Sequence, residues 1–260
     1  MPKKTARILA YSLSHRGLAR ENNEDRAQVT HLPYIQGKAA CLAVLADGVG
    51  GHSAGEVASR IAVETIISEA SRSHPASDAH QQLELAIQAA NRAILEDADR
   101  HPERARMGTT CVCALIIGRT LYAAYLGDSR LYLHRKRSLQ RLTRDHTMLE
   151  EMIRLSGADT SGNSRAHPMA HVLTRYLGSS QPPDVDHQIL DGTGFVDTFK
   201  LRANDILLLC SDGISDLVTD EEIEHTLSTC NGRKRAQTLV YRALENGGHD
   251  NASVIVLQIP

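Results

Sequence analysis

Three strand-forming runs, TTCVCALII, TLYAAYLG and RLYLHR, follow one another between Thr109 and Arg135 with only Gly118-Arg119 and Asp128-Ser129 as connections. A parallel pair needs a crossover of a dozen or more residues, so links this short predict antiparallel neighbours. Elsewhere strands and helices come in blocks. RILAYSL, DRAQVTHL and AACLAVLAD precede two helical segments, at about 53–71 and 78–99, the second with Asp78 at its N-cap. VDHQIL, GFVDTFKL and DILLLCSD read as further hairpin-like runs. Thr219-Asp220-Glu221-Glu222 has the form of a capping box opening a helix through Leu227; Arg233 to Glu245 reads as another helix, and ASVIVLQI as a last strand. Block order favours an α+β fold of antiparallel sheets with helices packed outside and argues against a Rossmann fold. With no repeat or linker, residues 1–260 are expected to form a single domain. The stretch at about 143–183 stands apart. A short helical piece near Met148–Leu155 leads into small, polar, unpatterned sequence, which in a compact protein is usually functional or mobile.

Charge excludes some functions. The 29 Lys and Arg nearly balance 31 Asp and Glu, leaving −2, so no electrostatic case exists for nucleic acid or an acidic membrane surface. No stretch approaches the ~20 apolar residues of a membrane span, and the N-terminus lacks the long apolar region of a signal peptide. Cys41, Cys111, Cys113, Cys210 and Cys230 are odd in number and lack metal-ligand spacing. They are expected to be free and mostly buried, in keeping with a cytoplasmic protein.

What net charge conceals is where the carboxylates sit. Four apolar runs end at, or begin after, an aspartate beside a small residue: Asp47-Gly48, Asp128-Ser129, Asp212-Gly213 and Asp250-Asn251. Taken singly these are ordinary turn dipeptides; four together, each against a strand, suggest convergence. Two carboxylates ~4 Å apart repel by roughly 4 kcal/mol at an effective dielectric of 20. A converging group therefore needs cations or raised pKa values. Oxygen-only donors favour Mg²⁺ or Mn²⁺. Arg20 offers a fork for phosphate, and Glu24-Asp25 adds carboxylate.

The motifs Gly17-x-x-Arg20-x-x-Asn23-Glu24-Asp25, Asp47-Gly48-Val49-Gly50-Gly51, Met107-Gly108-Thr109-Thr110, Gly127-Asp128-Ser129-Arg130, Leu142-Thr143-Arg144-Asp145-His146, Ser211-Asp212-Gly213 and Asp250-Asn251-Ala252-Ser253 run in order along nearly the whole chain. In this the sequence resembles the metal-dependent protein phosphatases, the type 2C (PPM) serine/threonine enzymes, in a compact bacterial form. The resemblance implies a four-layer α-β-β-α sandwich with a flap at about 143–183. It also implies two Mn²⁺ or Mg²⁺ ions and hydrolysis of phosphoserine and phosphothreonine by metal-activated water, opposing a cognate Ser/Thr kinase. By the same resemblance Asp47, Asp212 and Asp250 are catalytic metal ligands, with Asp47 bridging. Gly48 would ligate through its carbonyl and Asp25 through water, Asp128 would serve a third, weaker site, and Arg20 would hold the substrate phosphate.

The partners implied are phosphorylated proteins, with the enzyme a monomer; the alternative is a non-catalytic phosphatase-like scaffold or sensing module. One departure is Val49, which stands where eukaryotic members commonly carry a general-acid histidine. His52, three residues on, is expected at the start of the following helix instead. His146, His167, His171 and His249 are read as surface or flap residues without a role. Cys210 lacks the loop of a cysteine phosphatase, and GVGGHSAG lacks the Lys-Ser/Thr of a phosphate loop.

Overall fold

A computed structural model describes residues 7–35, 37–49, 54–72, 78–156 and 167–260, with the backbone alone at Pro33 and Tyr34. His52, Gly50-Gly51 and the central part of the flap, 157–166, lie outside the described residues.

The strands β1 (Leu9–His15), β2 (Asp25–Ile35) and β3 (Lys38–Val49) come first, followed by helices α1 (Ala54–Ser71) and α2 (Ala79–Arg100). Next are β4 (Gly108–Thr109), β5 (Cys111–Ile117), β6 (Thr120–Leu126), β7 (Arg130–Arg135) and β8 (Ser138–Arg141), then α3 (Met148–Ser156). The short strands β9 (Ile189–Leu190), β10 (Phe195–Val196) and β11 (Phe199–Lys200) lead to β12 (Ile206–Cys210). The chain continues through α4 (Asp212–Ser215), α5 (Asp220–Thr229), α6 (Arg233–Glu245) and β13 (Ala252–Gln258).

Two antiparallel sheets result, one ordered β11-β6-β5-β3-β2 and the other β1-β13-β12-β7-β8. Three apolar layers account for their stacking. Between the sheets lie Ala43 and Leu45 of β3, Val112, Ala114 and Ile116 of β5, Leu207 and Leu209 of β12, and Ile255 and Leu257 of β13. The alternate residues of β3 and β5 face outward onto α1 and α2, where Ala58, Ala62, Ala86 and Ala90 let helix and sheet approach closely. Alternate residues of β12 and β13 likewise meet Ile223 and Leu227 of α5 and Leu239 and Ala243 of α6. The α-β-β-α sandwich is therefore as expected. Strands covered on both faces must be apolar throughout, which is why their sequences show continuous runs instead of alternation.

Several local expectations hold. Thr219 accepts from the Glu222 amide while Glu222 reaches back to the Thr219 amide, a complete capping box. Asp78 is the N-cap of α2 but makes no side-chain capping bond. All five cysteines are free, and four are buried.

One expectation fails in an instructive way. β5 and β6 form the hairpin expected of Gly118-Arg119, but β6 and β7 are not neighbours: β7 pairs β12 and β8. The three-residue link Gly127-Asp128-Ser129 carries the chain from one sheet to the other. Gly127, at φ +99°, makes the corner, where an added Cβ would lie 2.6 Å from Thr110. Likewise the run GFVDTFKL divides, with β10 pairing β9 and β11 joining β6.

Because Leu209 is fully buried between the sheets, Leu209→Ala should cost roughly 2–5 kcal/mol, read as a lowered midpoint of denaturant unfolding.

Candidate metal centre

Strand register places the first two carboxylates. Asp25 opens β2 directly opposite Asp47 near the end of β3, and directly opposed residues in an antiparallel pair project to the same face. The Met107–Thr110 segment fixes the Asp47 backbone: the Asp47 amide donates to Thr110 Oγ1 at 2.9 Å, and its carbonyl accepts from Thr109 Oγ1 and from the Thr110 amide, each at 2.8 Å. Thr110 Oγ1 also meets Ser129 Oγ at 2.8 Å, tying the sheet-crossing link beside Asp128 to Asp47.

The second sheet supplies Asp212 and Asp250 from the adjacent ends of β12 and β13. Their backbones pass so closely that a Cβ on Gly213 would lie 2.0 Å from the Asn251 carbonyl oxygen, and one on Gly17 2.1 Å from that of Asp250. Asn251 holds the N-terminal loop in place, accepting from the Glu24 amide at 2.8 Å and donating to the carbonyls of Arg16 and Asn22 at 2.8 and 2.9 Å. Arg20 is thereby brought to Asp250, with Nη2 donating to Oδ2 at 2.6 Å.

These groups surround a cavity of about 500 Å³ lined by Arg20, Glu24, Asp47, Gly48, Asp128, Asp212, Asp216 and Asp250 among others. Of the residues singled out in the sequence, only Asp25 does not line it. Asp25 lies behind, 7% exposed, accepting from Ser211 Oγ at 2.8 Å through Oδ2. Two residues went unread in the sequence. Asp216, one helical turn beyond Asp212, and His171 from the flap have ligand-type atoms within 4.8 Å of one another and of an Asp212 oxygen. The i, i+4 spacing in Asp212-Gly213-Ile214-Ser215-Asp216 was the available signal; His171 had none.

The expectation of surface or flap histidines holds for the exposed His171 and His249, and His146 departs from it in being buried. His171 and His249 line the cavity. His146 is buried, 6% exposed and stacked on Tyr125, with Nδ1 accepting from the Gly127 amide at 3.1 Å. It braces the corner that precedes Asp128.

Convergence carries an electrostatic cost. Burial, then the charges of Asp212 and Asp250, pushes the Asp25 carboxyl up to about 7 against the stabilising bonds from its serines. Burial, then Asp216 and Asp250, raises Asp212 to about 6. Asp47 and Asp128 are raised well above the carboxylate range, chiefly by burial and then by their acidic neighbours. Oδ1 of Asp25 and Oδ1 of Asp212 are inaccessible and lack a hydrogen-bond partner. Unsatisfied carboxylate oxygens of raised pKa, with no thiolate nearby, fit hard divalent cations.

Fold and site together define a two-sheet sandwich with a carboxylate-lined centre at the end of its strands. Protein phosphatase 2C is the description of the family model that matches residues 21–252, and the chain belongs to that family. It is similar to the serine/threonine protein phosphatase PstP of Mycobacterium tuberculosis, 34% identical over 254 residues, which are 97% of this chain and 45% of that protein. The chain thus spans about half the length of that relative. It is 32% identical over 250 residues to the serine/threonine phosphatase stp of Listeria monocytogenes, covering 94% of this chain and 92% of that one. Among solved structures it resembles the catalytic domain of PstP in complex with two manganese ions, with a TM-score of 0.79, 33% identity, and coverage of 97% of this chain and 99% of that one.

An acid whose folded pKa is raised stabilises the fold only while it is protonated. Without metal, these aspartates should lower stability as pH climbs from about 4, where the unfolded carboxylates ionise, through the folded values of about 6 and 7 for Asp212 and Asp25. Mn²⁺ should therefore raise the thermal unfolding midpoint, relative to EDTA, more at pH 8 than at pH 5. Asp212→Asn should raise the EDTA midpoint at pH 8. Equal Mn²⁺ effects at both pH values would contradict the assignment.

Proposed function

We propose that the chain is a metal-dependent protein serine/threonine phosphatase that hydrolyses phosphoserine and phosphothreonine in proteins, opposing a Ser/Thr kinase in bacterial signalling. The observation that carries this reading is the set of carboxylates from both sheets facing one cavity that Arg20 borders, with orphaned oxygens on Asp212 within it and on Asp25 behind it. Membership of the phosphatase 2C family supports it, as do the names of the relatives.

Asp47, Asp212, Asp250 and the Gly48 carbonyl would hold two Mn²⁺ or Mg²⁺ ions, Asp25 would assist from behind, and Asp128 would hold a third, weaker one. When bound, such ions supply Lewis-acid charge and lower the pKa of water for attack on phosphorus. The chain's own part is to hold the ligands rigidly and to recognise phosphate. Arg20 is 54% exposed at its side chain and engages Asp250 through one donor. A guanidinium has five donors in a planar fork, which suits it to a phosphate's equatorial oxygens. Asp216 and His171, at 3.4 Å from each other, join the flap to the same centre. Val49 lines the cavity and offers no proton, so no side chain directly after the Asp47-Gly48 pair can protonate the leaving alkoxide. We place the enzyme in the cytoplasm, acting as a monomer. Among the described residues, no helix is long and apolar enough to cross a membrane.

Turnover of p-nitrophenyl phosphate should require Mn²⁺ or Mg²⁺ and stop in EDTA; metal-independent activity would refute the proposal, and no activity under any metal would favour the scaffold alternative. Asp47→Asn should reduce kcat by at least about 10³-fold with the fold retained by circular dichroism. Arg20→Ala should act mainly through KM for phosphopeptides, and an unchanged KM would remove Arg20 from the phosphate.

A further inference from the structure

A second cavity, of about 600 Å³, opens at the far end of the sandwich from the metal centre. Strand β3 spans both. Lys38, Ala40 and Cys41 line the second cavity at its start, and Asp47 and Gly48 line the first at its end. Nine residues at about 3.3 Å each separate Lys38 from Asp47 by roughly 30 Å. The two cavities differ sharply in chemistry. The metal centre is lined by carboxylates. The second is bordered by Arg7, Lys38, Arg119 and Lys200, and no Asp or Glu lines it among the described residues. Part of its lining is apolar, with Ile8, Leu32, Ala40, Cys41 and Ile117.

The cations are set by backbone geometry. The β5–β6 turn is pinned to β3, with the Gly118 amide donating to the Ala39 carbonyl at 2.8 Å. A Cβ on Gly118 would lie 3.2 Å from Lys38 Cδ, so the Lys38 stem lies along the turn that carries Arg119. Arg119 Nη2 donates to the Pro260 oxygen at 2.9 Å, and Lys200 Nζ to Thr120 Oγ1 at 2.7 Å. Neither partner is an Asp or Glu side chain. His31, on β2 opposite Cys41, has its pKa lowered first by burial and then by the charge of Arg7. Arg7, Lys38, Arg119 and Lys200 thus border a partly apolar cavity, and the terminal carboxylate of Pro260, which Arg119 meets, is the one acidic group among the described residues that line it. In a chain of net charge −2, that is a local excess of positive potential in a concave site.

We propose that this cavity binds a small organic phosphate of nucleotide size, its phosphates among Arg7, Lys38, Arg119 and Lys200 and its apolar body against the apolar part of the lining. The volume suits a ligand of that size. Four cations, less the one negative charge of the Pro260 carboxylate, match the roughly three negative charges of a diphosphate, and the apolar part of the lining distinguishes an organic phosphate from an inorganic one. The inference does not depend on the phosphatase reading.

Calorimetric titration of the full chain with ADP, in EDTA and again in excess Mg²⁺, tests it. Saturable binding is expected, at least tenfold tighter than that of adenosine or inorganic pyrophosphate, and severalfold weaker when salt rises from about 50 to 200 mM. The double variant K38E/R119E should weaken ADP binding at least tenfold while its circular dichroism and p-nitrophenyl phosphate turnover stay at wild-type levels. Lys200→Glu, at an exposed position, is a second variant and should weaken binding severalfold. Absence of saturable ADP binding, pyrophosphate binding as tight as ADP, or binding that survives K38E/R119E but is lost in Arg20→Ala would overturn the proposal.

Discussion

Mutual repulsion among the aspartates at one end of the sandwich is the constraint around which the rest of the molecule is arranged. Left to relax, carboxylates this close would separate into water. Here they cannot, because each is fixed by backbone that is itself locked in a sheet or a tight crossing. Asp25 and Asp47 are opposed by strand register. Asp212 and Asp250 are set by strands whose ends touch through Gly213. The pKa values of Asp25, Asp47, Asp128 and Asp212 are raised first by burial and then by their acidic neighbours, a cost that bound cations would offset. Such a site needs a stiff scaffold, and two sheets covered on both faces supply it.

The joints between the sheets are where that stiffness is tested. Three elements meet near the centre: the Gly127–Ser129 corner and the Arg16–Glu24 loop, which cross from one sheet to the other, and the start of β13. Each is fastened by side chains that do no chemistry. Thr110 and Ser129 meet across the first, His146 braces its outer side, and Asn251 clamps the second to the third. Substituting these groups would loosen the carboxylates without removing one.

Much of the fold was legible in the sequence because strands buried on both faces advertise themselves as unbroken apolar runs, as in β3, β5, β12 and β13. The capping box at Thr219 and the helices around it were legible for an equally local reason. What was not legible depended on which sheet a strand joins. A short link such as Gly127-Asp128-Ser129 looks the same whether it turns a hairpin or crosses between layers, since only packing partners distinguish the two. The cavity's carboxylates were readable where they abut strand ends. The site was missed at Asp216, whose partner is one helical turn away, and at His171, whose nearness to Asp212 arises from a flap that has no periodic pattern. His146 was misjudged because burial of a histidine in a corner leaves no mark on its neighbours in sequence.

A net charge of −2 suggests an electrostatically bland molecule, yet β3 joins two ends of opposite character. Acidic side chains gather where β3 stops, and basic ones where it starts. At roughly 30 Å the separation exceeds a Debye length at physiological salt, about 8 Å, so neither end screens the other. Each must therefore meet its own counterions from solution: cations at one end, anions at the other. The near-cancellation of charge over the whole chain thus conceals two local excesses of opposite sign.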